Sequence, residues 1–174
     1  MNTDFNYSSV ASLIQAAEKN NLPVSALVLS QQAQQIELDE KTVYEKMASN
    51  FQVMKECIEP GCDEHLKSTS GLTGGDAFKL RRYSESGKSL TGSFLSGALY
   101  RALAVSELNA SMGRIVAAPT AGSCGILPAA LITMQEEKGC SDHDCVMALF
   151  TASAVGIGHC KQCLFSRRPG RMSG

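Results

Sequence analysis

An all-α architecture is the fold class this sequence predicts, on three observations. Wherever the chain is regular, its apolar residues recur with the 3.6-residue period of a helix. Alternating runs of β-branched and aromatic residues, the mark of strands, are nearly absent. The regular stretches carry helix start and stop signals, and two glycine-rich stretches interrupt them.

Taken in order, Val10, Leu13, Ile14 and Ala17 form a first apolar stripe. Val43, Met47, Phe51, Met54 and Ile58 form a longer one that starts after Asp39 and stops at Pro60-Gly61. From Phe94 to Leu108, the residues Phe94, Ala98, Leu99, Ala102, Leu103 and Val105 are apolar around more than half the circumference, which predicts a buried central helix. A further helix is expected from about Pro128 to Lys138, with Gly139 as its break. Ser141 with Asp144 resembles a capping box, opening a helix that carries Val146, Met147, Leu149 and Phe150.

The glycine-rich stretches are Ser68 to Gly75 and Pro119 to Gly125. Each immediately precedes an expected helix, so exposed amides at a helix N-terminus are available to hold an anion such as a carboxylate. Read without that chemistry, they are connecting loops.

Bulk properties narrow the function classes. A chain of 174 residues with 44% hydrophobic residues builds one ordinary core, so one domain or part of one is expected. A net charge of -1 gives no field to draw a nucleic acid or an anionic membrane, which leaves small molecules and proteins as partners. No apolar run reaches the ~20 residues that span a bilayer, and the polar start lacks the order of a signal peptide, so a cytoplasmic location is expected. Seven cysteines are an odd number; in a reducing compartment they are free thiols, core residues or metal ligands. After Val155 the composition turns basic, with Lys161, Arg167, Arg168 and Arg171 and no acid, and the helical period fades.

Cys124 is the most suggestive thiol. It lies between Gly122 and Gly125 at an expected helix start, where the helix dipole favours the thiolate that attacks or binds metal. A nucleophile wants a base nearby, and His65, His143 and His159 are the histidines available. Around it in sequence stand hydroxyl and amide donors suited to a small polar acid: Ser68, Ser70, Thr73, Asn109, Ser111, Thr120 and Ser123. Arg114 and Lys67 are the cations of the same segments, each equally readable as a solvated surface residue. A P-loop is excluded, because no lysine-hydroxyl pair follows the last glycine. A pyridoxal phosphate site with Lys67 as Schiff-base lysine lacks a partner for the pyridine ring. A zinc module built on Cys160 and Cys163 with His159, and with Cys140, His143 and Cys145 as further donors, is a reading from another class.

The run Lys67-Ser68-Thr69-Ser70-Gly71-Leu72-Thr73-Gly74-Gly75-Asp76-Ala77 resembles the iron-sulfur L-serine dehydratase alpha chain. So do Asn109 to Val116 and Pro119 to Pro128, and the resemblance is strong from about Leu66 to Ile157. It implies a mostly helical catalytic domain, a 4Fe-4S cluster held by three cysteines, and conversion of L-serine to pyruvate and ammonia. It also implies that one open iron acts as a Lewis acid on the substrate hydroxyl while a base removes the α-proton. Carried over residue by residue, Cys124 matches the first cluster cysteine. The segments with Lys67, Ser68, Ser70, Thr73 and Gly74, with Asn109, Ser111 and Arg114, and with Thr120 and Ser123 match the substrate site. The family's other two cluster cysteines lie downstream of the point where this chain diverges, so the chain alone is expected to be inactive. Residues 1–157 are read as the N-terminal part of the domain, with a beta chain or second copy as possible partner. Residues 158–174 are read as a divergent or disordered tail: dropping one base at the Gly158 codon restores a reading close to the family's continuation, which points to a frameshift.

Overall fold

A computed structural model describes residues 9–118 and 122–166, with side chains through residue 156. Among these residues the fold is all helical, with no strand. The elements are α1 (Val10–Asn20), α2 (Val24–Gln35), α3 (Glu40–Glu56), α4 (Ile58–Gly61), α5 (Asp76–Glu85), α6 (Gly92–Ala110), α7 (Ser123–Lys138) and α8 (Asp142–Ser166). They divide into two compact units, Met1–Glu45 with Val146–Gly174, and Lys46–Cys145.

In the first unit, α1 begins at a capping box in which Ser12 N–H donates to Ser9 Oγ and Ser9 N–H to Ser12 Oγ. Leu13 and Ala17 of the first stripe are buried, whereas Val10 and Ile14 are exposed. Helix α2, which the sequence reading does not single out, packs on α1. Its Leu27 and Val28 are almost wholly buried, and Gln32 Nε2 donates to Ser153 Oγ of α8 at 3.4 Å. Thr42 donates from both N and Oγ1 to the Asp39 carboxylate, which caps α3 and holds that carboxyl below its ordinary pKa.

The second unit is organised around α6, on which α4, α5 and α7 all pack. The helix is central as expected, but most of the stripe named for it is not its buried face. Of the apolar residues named above, Val105 and the terminal Leu108 are buried, and Phe94, Leu99 and Leu103 are exposed together with Leu95. The covered face also carries Ser96, Gly97, Arg101, Ala104 and Glu107. Three helices approach one helix closely only across small side chains, and at Gly125 of α7 a Cβ would stand 2.8 Å from the Ala102 carbonyl oxygen. Leu95, Leu99 and Leu103 are thereby turned to the other side.

Helix α7 begins five residues before the expected Pro128, which lies inside it. Pro128 supplies no N–H to the carbonyl one turn back, which is that of Cys124. Gly139 ends the helix with φ 68°, and Ser141 and Asp144 form the expected reciprocal cap of α8. Within α8 Val146, Leu149 and Phe150 are buried, and its backbone remains helical to Ser166, past the point where the sequence period fades.

Burial also sorts the described thiols. Cys57, Cys62 and Cys145 are buried, which pushes each above its ordinary pKa, whereas Cys124 and Cys140 are partly exposed. Brief treatment of the native chain with iodoacetamide should therefore alkylate Cys124 and Cys140 well before these three. Peptide mass mapping checks this, and equal labelling of all five would contradict the burial pattern.

Candidate functional site

The end of α6 and the start of α7 build the site, and the first glycine-rich loop is anchored beside it on α6. The C-terminal end of α6 presents Ser106, Glu107 and Asn109, and both glycine-rich stretches run to it.

The first stretch is tied there by its backbone and by a buried carboxylate. Thr69 N–H donates to the Ala110 carbonyl at 3.0 Å. Glu107, 8% exposed, accepts N–H bonds from Gly75 and Asp76 at 2.9 Å each and from Ala77 at 3.3 Å. These are the N-cap amide and the first two amides of α5, where a helix carries its partial positive charge. The expected anion at this helix start is therefore supplied by the chain itself. Glu107 was not among the residues the sequence singled out, although a signal existed: Arg101 and Glu107 are the only charged residues in the 19 of α6.

Within the loop, the hydroxyls of Ser68 and Ser70 are spent on its own shape. Ser68, buried, accepts from Thr73 N–H at 3.2 Å and shares a bond with Ser70 Oγ at 3.1 Å, while Ser68 N–H donates to the Thr73 carbonyl at 2.9 Å. Gly74 sits at φ 135°, and a Cβ there would overlap the Leu66 carbonyl oxygen. Lys67 is exposed.

The second stretch meets α6 differently. Residues 119–121 lie outside the described residues, and with them Thr120. Cys124 stands second in α7, partly exposed, and its Sγ accepts a hydrogen bond from the Ala118 N–H at 3.2 Å. A cavity of about 290 Å3 opens beside it, lined by Cys124, Gly122, Asn109, Ser106, Val105 and Ile115, with Gly125 completing the wall. Asn109 and Cys124, from separate predicted segments, thus share one cavity. Ser111 turns its Oγ to the Leu108 carbonyl at 2.8 Å, Arg114 is exposed, and Ser123 opens α7 beside Cys124. Lys67, Ser68, Ser70, Thr73, Gly74, Ser111, Arg114 and Ser123 are not among the residues lining the cavity. Ser106 is a lining residue the sequence did not suggest.

The arrangement offers one thiol, one carboxamide and one hydroxyl above apolar walls. Among the described residues no three His, Cys, Asp or Glu side chains come together to hold a metal, which also separates Cys140, His143 and Cys145 as a set. A cluster held by three thiolates does not fit this residue set, since Cys124 is the one described cysteine on the cavity. Cys160, Cys163 and His159 have side chains outside the described residues. No helix among the described residues is long and apolar enough to cross a membrane.

Comparison with known proteins gives this geometry a context. The model of the serine dehydratase alpha chain family matches residues 19–166, a stretch that continues past Ile157. A probable L-serine dehydratase alpha chain of Bacillus subtilis is 36% identical over 151 residues, covering 87% of this chain and 50% of the relative. The L-serine dehydratase alpha chain of Peptoniphilus asaccharolyticus is 33% identical over 146 residues, covering 84% and 49%. An L-serine dehydratase of Streptomyces coelicolor is 32% identical over 151 residues, covering 83% and 32%. The chain spans about half the length of the two alpha-chain relatives. No solved structure matches it. With the family model spanning most of its residues, the chain belongs to the serine dehydratase alpha chain family.

Proposed function

We propose that this chain carries the Cys124 portion of an L-serine dehydratase, a lyase that converts L-serine to pyruvate and ammonia. The observation that carries the reading is the cavity at which Asn109 and Cys124 meet. It has room for a small polar acid, and its residues supply matching chemistry. The Asn109 carboxamide both donates and accepts towards the polar end of the substrate. Val105 and Ile115 form an apolar wall that limits water. Cys124 contributes a thiol whose sulfur is held by the Ala118 N–H.

In the complete enzyme the resemblance assigns Cys124 to an iron-sulfur cluster. The described residues supply one thiol of the three, so no step is drawn through the cluster, and the chain alone is proposed to be inactive. The reading takes residues 1–157 as part of the catalytic domain and 158–174 as a tail altered by a frameshift. L-serine is the proposed substrate, a beta chain or second copy the proposed partner, and the cytoplasm the proposed location.

Anaerobic reconstitution tests this with three chains: the present one, one restored to the shifted frame, and the restored chain with Cys124→Ser. The restored chain should bind iron and acid-labile sulfide and form pyruvate from L-serine, and the other two should not. Full iron content and pyruvate formation in the Cys124→Ser chain would remove Cys124 from the site.

A further inference from the structure

A second cavity, of about 370 Å3, lies within the Lys46–Cys145 unit and shares no lining residue with the first. Its polar lining is Lys55, Glu59, Arg81, Tyr100, Arg101 and Glu136, with Gln135 beside them, and Ile58 and Ile132 give it an apolar part. Three cations face two carboxylates.

The cations and the carboxylates are held unequally. Arg101 has a side chain 8% exposed; Nη1 donates to Thr133 Oγ1 at 3.2 Å and Nη2 pairs with Glu136. Its Nε is buried without a partner, and the guanidinium lies 4.6 Å from the Tyr100 ring centroid. Arg81, 32% exposed, donates from Nη1 to both Glu59 oxygens at 3.0 Å and from Nε to Glu85 at 3.0 Å. By contrast the side chains of Glu59 and Glu136 are 79% and 56% exposed. Lys55 is engaged at 2.6 Å by Asp142.

We infer that this cavity binds the carboxylate of a small organic acid or amino acid, received by Arg81 and Arg101 as Glu59 or Glu136 swings out to water. The Arg101 guanidinium is already desolvated, and Arg81 is held by Glu85 as well as by Glu59, so exchanging one carboxylate for another costs little reorganisation at the cationic side. The planar donor fork of arginine matches a carboxylate in two parallel bonds. A ligand carboxylate would replace a side-chain carboxylate one for one, and the partnerless Arg101 Nε adds a donor that none of the described groups satisfies. The volume lies in the usual range of small-ligand sites, roughly 300 to 1,000 Å3, and the isoleucines suit a short hydrocarbon.

Isothermal titration of the full chain with propionate, and separately with L-alanine, tests the inference, with sodium chloride as the ionic-strength control. Saturable binding is expected, weakened about tenfold by Arg81→Gln and tightened severalfold by Glu59→Gln, which removes the competing carboxylate. Asn109→Ala, at the other cavity, should leave it unchanged. L-alanine binding more tightly than propionate, with the advantage lost in Glu59→Gln, would assign the site to amino acids; equal binding would assign it to organic acids generally. Absence of saturable binding, or loss of it in Asn109→Ala, overturns the inference. If circular dichroism shows that Arg81→Gln is unfolded, the Glu59→Gln arm decides: its side chain is largely in water, and unchanged affinity there is also fatal.

Discussion

Replacing Glu107 with alanine should lower the unfolding free energy of the chain by about 4 kcal/mol, on the scale of removing one partner from a buried charged contact. The carboxylate accepts three N–H groups at the start of α5, from the N-cap Gly75 and from Asp76 and Ala77. Those donors lie at the positive end of the helix, and alanine would leave them without an acceptor. Glu107→Gln keeps the shape but loses the charge and one acceptor oxygen, so about half the penalty is expected. Urea unfolding at constant m value measures both. A Glu107→Ala chain within about 1 kcal/mol of the parent would mean that water replaces the carboxylate without loss.

Gly74→Ala should be comparably severe, costing about 4 kcal/mol, while Gly71→Ala in the same loop should cost about 1 kcal/mol. Both glycines have positive φ, 135° and 72°. They differ in their surroundings. A Cβ at Gly71 meets nothing within 4 Å, whereas one at Gly74 collides with the Leu66 carbonyl, a backbone atom that cannot turn away as a side chain would. Gly71 sits near the left-handed helical region, which alanine enters at modest cost; Gly74 does not. Equal destabilisation of the two variants in thermal unfolding would show that φ alone, and not the contact, sets the requirement.

The parts of the fold legible in the sequence are those decided locally. Ser141 and Asp144 announce α8 because a reciprocal cap uses groups three residues apart, and Gly139 announces the end of α7 because a left-handed turn favours glycine. Helix α2 is hidden because Ala26 to Leu29 is a continuous apolar run, which carries no period to separate helix from strand. The start of α7 is displaced because proline is a common first helical residue, and here Pro128 stands inside. The buried face of α6 is shifted because periodicity ranks residues by hydrophobicity, whereas packing by three neighbours favours the side that carries Ser96, Gly97 and Ala104. At the candidate site, the loops were visible as glycine-rich sequence and Cys124 as a thiol at a helix start. Their convergence was not, since Glu107 reaches 30 to 32 residues back along the chain for its partners.

That reach has a consequence for ligand affinity. The anion that orders the Gly74-Gly75 turn is attached to α6, so its effective concentration is set by the fold and does not fall with dilution or with competing salts. The loop is shaped before any ligand arrives. The entropy of ordering this loop, which is anchored on the same end of α6 that presents Asn109 to the cavity, has been spent in folding rather than in binding.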